Sequence, residues 1–196
     1  MTGTVNTASL KDRREFWKFP NAVGSFEEAK AACDELLGRE PDPEDPLLSL
    51  LTVALVITYG RPFQQRQPLR LPVAVVPQEF RETHSFLIEL RDKMYAHTDL
   101  DGPVPDKGGE TLNRVLVNFS GEYYSTARLI LVLRKQELRR VQALLDVLTE
   151  KMDYHSNKAW AKCEKNGFGL PDGKYEVSIS SEGDRFLVPH FDPLKS

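Results

Sequence analysis

The sequence is poor in the residues that crosslink small proteins or bind metals. Of its 196 residues only two are cysteines, Cys33 and Cys163, and no CxxC pair or cysteine–histidine cluster surrounds them. This pattern favours reduced, buried thiols in a cytosolic protein over a disulfide or a zinc site. We therefore expect no metal and no other cofactor.

Long hydrophobic runs and an excess of basic charge are also absent. The most apolar run, residues 47–57, is shorter than the roughly 20 residues that span a bilayer. No apolar signal-peptide core precedes it near the N-terminus. The net charge of −3 gives no general attraction to nucleic acid, so any RNA contact requires a local basic patch. The sequence thus predicts a cytoplasmic protein that does not contact a membrane.

Common catalytic fingerprints are missing too, namely the P-loop, GxSxG, HExxH and the dinucleotide-binding glycine motif. Apolar residues at helical spacing are what the chain has in their place. They predict a mainly α fold, an antiparallel four-helix bundle with one or two small β-hairpins. The expected helices cover residues 25–37, 46–59, 77–97 and 134–165.

Local signals define where these helices should start and end. Ser25 followed by Glu28 has the spacing of a capping box, and Asp45 before Pro46 is typical of an N-cap and a first helical residue. Prolines and glycines mark the expected ends. A further short helix over residues 10–19 is expected to end at Pro20. The other residues expected to end helices are Gly38, Gly60 and Pro62.

The chain divides into three parts on this interpretation. They are an N-terminal arm (1–24), a helical bundle (25–167) with an inserted hairpin (112–133), and a C-terminal hairpin extension (168–196). In the inserted hairpin, two segments flank a Ser-Gly-Glu turn, residues 114–119 and 127–133. They alternate apolar with polar residues or are rich in residues that favour β-strands. The extension has a similar pattern around its own glycine turn.

The third helix carries the most unusual residue. A helical wheel places one arc of residues together: Phe80, His84, Leu87, Ile88, Arg91, Met94 and Tyr95. Arg91 therefore lies within an apolar stripe, where an arginine needs a partner or a task. The structural alternative is a core ion pair with a carboxylate such as Glu28 or Asp146. His84 on the same arc is interpreted as a core histidine.

His97 follows Arg91 by six residues, which puts the two side chains on different faces of a regular helix. They can converge if the helix end unwinds, or if two copies of the helix meet across a two-fold axis. The alternative for His97 is a cap that satisfies the last carbonyls of the helix.

Arg91-Asp92, four further residues and His97 resemble the arginine–polar–x(n)–histidine signature of the HEPN superfamily. The segment Tyr59-Gly60-Arg61-Pro62-Phe63 at the end of an apolar helix is similar as well. The resemblance covers roughly residues 25–165. It implies a small helical domain, often a dimeric, metal-independent ribonuclease of toxin–antitoxin, abortive-infection or other antiviral systems.

This resemblance implies roles for individual residues. His97 would act as the general acid or base for attack by the RNA 2′-OH, and Arg91 would stabilise the charge on the phosphorane. Asp92 would orient one of them, although many active members have asparagine at that place. The implied partners are RNA, a second copy of the chain, and an antitoxin or defence-system protein.

Further residues are candidates for RNA contacts. A loop rich in proline holds Arg61, Arg66 and Arg70, which form either a phosphate-contacting patch or a solvated surface. Tyr95 either stacks on a base or packs in the core. The competing function is a non-catalytic helical dimer that binds a protein or a nucleotide, in which Arg91 is structural.

Overall fold

The computed structural model describes residues 10–40, 42, 45–65, 69–92, 115–121, 123–128, 133–164, 175–178 and 185–189. Four α-helices make up most of this part of the chain: α1 (Leu10–Gly38), α2 (Pro46–Gln64), α3 (Arg81–Leu90) and α4 (Lys135–Glu164). The prediction of a mainly helical fold is confirmed. Helix α1 packs against both α2 and α4, and α3 contacts the same two helices.

Helix α1 is longer than the sequence predicted. The expected start at Ser25 is wrong, because the helix runs without a break from Leu10 and contains Pro20. Instead of capping a helix end, Ser25 Oγ donates to the carbonyl of Asn21, 2.9 Å away and one turn back. The boundary drawn between residues 24 and 25 therefore falls inside a helix.

Packing against α4 explains why α1 continues through its proline. A proline inside a helix removes one backbone hydrogen bond and crowds the preceding turn. On the N-terminal side of Pro20, Phe16 lies 5.4 Å from Trp160 and Phe19 lies 5.1 Å from His155, measured between ring centroids. These aromatic contacts with α4 hold the first turns in register with the rest of α1.

Helix α2 begins as predicted and ends later. The Asp45 side chain accepts a hydrogen bond of 2.9 Å from the backbone N–H of Leu47, and Pro46 is the first helical residue. The expected end at Gly60 and Pro62 is wrong, since the helix continues to Gln64 with Pro62 inside it. The cause is burial of the last turn: Phe63 is enclosed in the core.

The core lies between the four helices and is almost entirely apolar. Along α4, apolar residues at helical spacing form a buried seam: Leu138, Val141, Leu145, Leu148 and Met152. By length and composition alone, helix α2 could cross a membrane, but half of this apolar stretch is buried inside the protein. Such burial is compatible with the core helix of a soluble protein.

Helix α3 follows two short 3-10 turns, Val73–Val75 and Gln78–Phe80. After Leu90 the chain stays helical, and Arg91 and Asp92 have the wider π-helical conformation. Single π turns inside helices occur frequently at functional sites. The part of the predicted third helix beyond residue 92 lies outside the described residues.

Two antiparallel strand pairs complete the described elements. Strand β1 (Val115–Ser120) pairs with β2 (Tyr123–Arg128), and β3 (Tyr175–Ser178) pairs with β4 (Arg185–Pro189). The second strand was expected to start at residue 127, but it starts at Tyr123; residues 129–132 lie outside the described residues. Gly121 has a φ of +65°, which permits a tight turn, so that Tyr123 already pairs with Ser120.

Candidate functional site

An open pocket of about 300 Å³ lies between the last two turns of α2 and the end of α3. We call it the arginine pocket; its lining residues are Ile57, Arg61, Gln64, Gln65 and Arg91. Because α2 continues past Gly60, Ile57, Arg61 and Gln64 share one helix face at spacings of four and three. Arg91 enters this pocket from α3. Two guanidinium groups and two amides therefore surround one space.

Arg91 is held at two points along its side chain. Its Nη1 atom donates to Asp92 Oδ1 at 2.6 Å, a short charge-assisted hydrogen bond. Its Cδ, Nε and Cγ atoms lie against the backbone of Gly60. The side chain is 24% exposed, while that of Asp92 is 45% exposed. Arg91 is thus an anchored cation at the edge of the core.

The Nε atom of Arg91 is buried and has no hydrogen-bond partner among the described residues. A buried, unsatisfied N–H group is unfavourable, and a charged group more so. A guanidinium has five N–H donors, of which the Asp92 contact uses one. Arg91 therefore has N–H donor capacity that the described residues do not satisfy.

Arg61 is the second cation of the pocket. Its Nη1 donates to Glu28 Oε2 on α1 at 3.1 Å, and both side chains are about half exposed. Exposed pairs of this kind contribute about 0–1 kcal/mol to stability, so an anionic ligand can compete for Arg61. The structural alternative for Arg91, an ion pair with a carboxylate, is met by Asp92 and not by the two examples expected, Glu28 and Asp146. Glu28 pairs with Arg61, and Asp146 pairs with Lys30.

Between the same two helices, a buried polar pair lies among aromatic rings. The Tyr59 hydroxyl forms a 2.7 Å hydrogen bond with Nδ1 of His84, and Phe63 lies edge-on to the imidazole at 4.6 Å. Burial lowers the pKa of His84 and raises the pKa of Tyr59, because each charged form would lose its hydration. The interpretation of His84 as a core histidine is confirmed.

The sequence-predicted site residues are only partly brought together. Arg61, Arg91 and Asp92 meet at or beside the arginine pocket. Arg70 is exposed and does not line it. Three other candidates lie outside the described residues: Arg66, Tyr95 and His97. The pairing of Arg91 with His97 thus stays a prediction.

Sequence reasoning missed three contributors to the pocket: Gly60, Gln64 and Gln65. The first was interpreted as a helix end, and the two glutamines were assigned to a loop. A helical wheel continued through Pro62 would have placed Arg61 and Gln64 beside Ile57. The signal was therefore present, but two helix-breaking residues masked it.

Within the described ranges, no group of three or more His, Cys, Asp or Glu side chains is placed to hold a metal ion. Comparison with protein-family models, with curated proteins and with solved structures finds no match to this chain. Function must then be inferred from the side chains of the arginine pocket and their surroundings.

Proposed function

We propose that this chain is a HEPN-like endoribonuclease whose arginine pocket receives a phosphodiester of RNA. The observation that carries the proposal is that Arg61 and Arg91 line the same open pocket. Guanidinium groups present paired N–H donors that match phosphate oxygens. The amides of Gln64 and Gln65 add uncharged donors for the same oxygens or for the ribose.

The proposed reaction is transfer of the phosphoryl group to the neighbouring 2′-oxygen, with no metal ion involved. A general base takes the proton of the 2′-OH, the 2′-oxygen bonds to phosphorus, and the bond from phosphorus to the 5′-oxygen breaks. The leaving 5′-oxygen takes up a proton. The products are a 2′,3′-cyclic phosphate and a 5′-hydroxyl. His97 is proposed to transfer the proton, and Arg91 to stabilise the negative charge on the phosphorane.

The proposal includes an arrangement of chains. We infer an antiparallel four-helix bundle with appended hairpins that forms a two-fold dimer, with α3 near the axis. On a regular helix Arg91 and His97 would diverge, so the partner copy brings the second residue to the pocket. Sedimentation at micromolar concentration should find dimers. A chain that is folded and only monomeric would contradict this arrangement.

The proposed setting is a toxin–antitoxin or phage-defence system, with an antitoxin or another defence protein as partner. That setting agrees with the charge of the chain. Since the net charge is −3, RNA would be held by a local basic site rather than by the whole surface. Arg61 and Arg91 form such a site, and the predicted Arg66, Arg70 and Tyr95 contacts would extend it.

The test is cleavage of single-stranded RNA in EDTA by wild type and by His97→Ala. The substitution should slow cleavage by about 10²- to 10⁴-fold, the usual contribution of a positioned proton-transfer group. His155→Ala is the matched control, because His155 stacks on Phe19 away from the pocket, and it should cleave at the wild-type rate. Equal rates for wild type and His97→Ala would refute the catalytic role.

A second candidate function is favoured by one observation, the hydrogen bond between Arg91 and Asp92. An acidic partner at 2.6 Å offsets the charge that a catalytic arginine would present to phosphate. In that case the pocket is part of a non-catalytic module that binds a protein or a nucleotide. A folded dimer that binds an uncleavable RNA but never cleaves its all-ribose counterpart would support this alternative.

A further inference from the structure

Gly60 lies where a side chain would collide with Arg91. A Cβ atom built on Gly60 would be 2.5 Å from Cδ of Arg91, 3.2 Å from its Nε and 3.5 Å from its Cγ. The contact is with the middle of the arginine side chain, not with its flexible tip. Arg91 therefore could not keep its present path over any residue larger than glycine.

The position is unusual for glycine, because Gly60 is buried inside α2, where alanine favours the helix. We infer that Gly60 is a positioning residue for Arg91: its missing side chain provides the channel that directs the guanidinium into the arginine pocket. This inference rests on the proposed function for its catalytic consequence. The contact itself is a property of the fold.

The two ends of the Arg91 side chain reinforce this interpretation. The stem is confined by the backbone of Gly60, and the tip is fixed by Asp92. With alanine at position 60 the stem must lift or change rotamer, and the guanidinium moves relative to Arg61 and Gln64. Displacing a catalytic group by about 1 Å can slow a reaction about 10²-fold.

Gly24 provides a matched control. It also lies inside a long helix, α1, but a Cβ atom built there meets nothing within 4 Å. Gly24→Ala should raise the melting temperature, since alanine is the better helix former. A fall in melting temperature confined to Gly60→Ala would thus report the lost space and not the loss of glycine as such.

The experiment is a double-substitution cycle on the full chain, read by melting temperature. Gly60→Ala alone should lower Tm by several degrees. In an Arg91→Ala background the same change should leave Tm unchanged or raise it, because its collision partner is gone. Equal losses of Tm in the two backgrounds overturn the inference. If Gly60→Ala fails to fold alone, recovery of folding by Arg91→Ala supports it, and failure in both overturns it.

A second measurement follows the arginine directly. The Nε–H of Arg91 is buried, so its ¹⁵N–¹H NMR signal should shift or broaden in Gly60→Ala and stay in place in Gly24→Ala. An unchanged signal in Gly60→Ala overturns the inference.

Binding of a short fluorescent 2′-O-methyl RNA separates this inference from the proposed function. Should wild type fail to bind that RNA while the cycle shows coupling, the ribonuclease proposal fails and the positioning role stands. If wild type binds that RNA and Gly60→Ala binds it with equal affinity, the positioning role fails and the proposed function stands. We expect wild-type binding, weakened about tenfold or more by Gly60→Ala.

Discussion

Helices α2 and α3 meet in two adjoining regions that treat polar groups in opposite ways. In the aromatic cluster, which consists of Tyr59, Phe63 and His84, Tyr59 is fully buried and its hydroxyl is satisfied by a neutral His84. In the arginine pocket, Arg61 is two residues further along the same helix, yet its side chain is 46% exposed. The cluster buries its polar groups within the core, whereas the pocket holds a partly exposed charge. On the proposed function, residues that stabilise the fold and residues that bind RNA are neighbours in α2.

The largest effect on stability should be the difference between substitutions at two adjacent residues, Phe63 and Gln64. Phe63 is buried among aromatic rings, so Phe63→Ala should reduce the free energy of unfolding by about 3–5 kcal/mol. Gln64→Ala should change it by about 0.5 kcal/mol or less, because the side chain is exposed in the pocket. Urea unfolding of both variants measures the difference. Similar losses in the two would break the division between cluster and pocket.

The next effect concerns the buried hydrogen bond of the cluster. Tyr59→Phe keeps the ring but leaves His84 Nδ1 without its partner. We expect a loss of about 1–3 kcal/mol, the cost of one unsatisfied buried polar group. Thermal or urea unfolding measures it, with Tyr154→Phe on the exposed side of α4 as control. A Tyr59→Phe variant as stable as wild type would show that water reaches the imidazole.

The pH dependence of stability should also originate in the cluster. Burial holds the pKa of His84 below its usual value, so the unfolded chain binds a proton more readily than the folded protein does. Stability contributed by neutral His84 is therefore present above about pH 6.5 and is lost as the pH falls below that value. As the pH is lowered below about 6.5, the urea midpoint should fall more steeply for wild type than for His84→Phe. Parallel curves would remove His84 as the source.

The smallest effect on stability, but an informative one for binding, should come from the pair Arg61–Glu28. Breaking it by Arg61→Gln or Glu28→Gln should cost less than about 1 kcal/mol of stability. The two variants should affect binding of a 2′-O-methyl RNA in opposite directions. Arg61→Gln should weaken binding and reduce the salt slope by about one, and Glu28→Gln should strengthen it. Changes of the same sign would place RNA elsewhere.

Part of this fold could be predicted from local signals in the sequence. The N-cap at Asp45, the start of α2 at Pro46 and the apolar seam of α4 each depend on residues a few positions apart. Helix ends were less predictable. Pro20 and Pro62 carry the usual signal for a helix end, but aromatic burial outweighs their cost, and that burial depends on contacts distant in sequence.

The same limit applies to the candidate site. The helical wheel was sufficient to single out Arg91, because one charged residue on an apolar arc is visible within a single helix. The arginine pocket needed a second helix extended beyond two apparent stop signals. The close approach of Gly60 to Arg91 is a tertiary contact that no local pattern in either helix encodes.

The central claim is the proposal that the paired N–H donors of the Arg91 guanidinium stabilise the transition state of RNA cleavage. The most direct measurement is the single-turnover rate in EDTA for wild type, Arg91→Lys and Arg140→Lys. Arg140 pairs with Glu82 at 3.1 Å on the surface and controls for the exchange itself. The account predicts about 10²-fold slower cleavage by Arg91→Lys, because lysine keeps the charge but lacks the paired N–H donors of a guanidinium. Arg140→Lys should cleave at the wild-type rate. Equal rates for wild type and Arg91→Lys, or no cleavage by a folded, dimeric wild type, would contradict it.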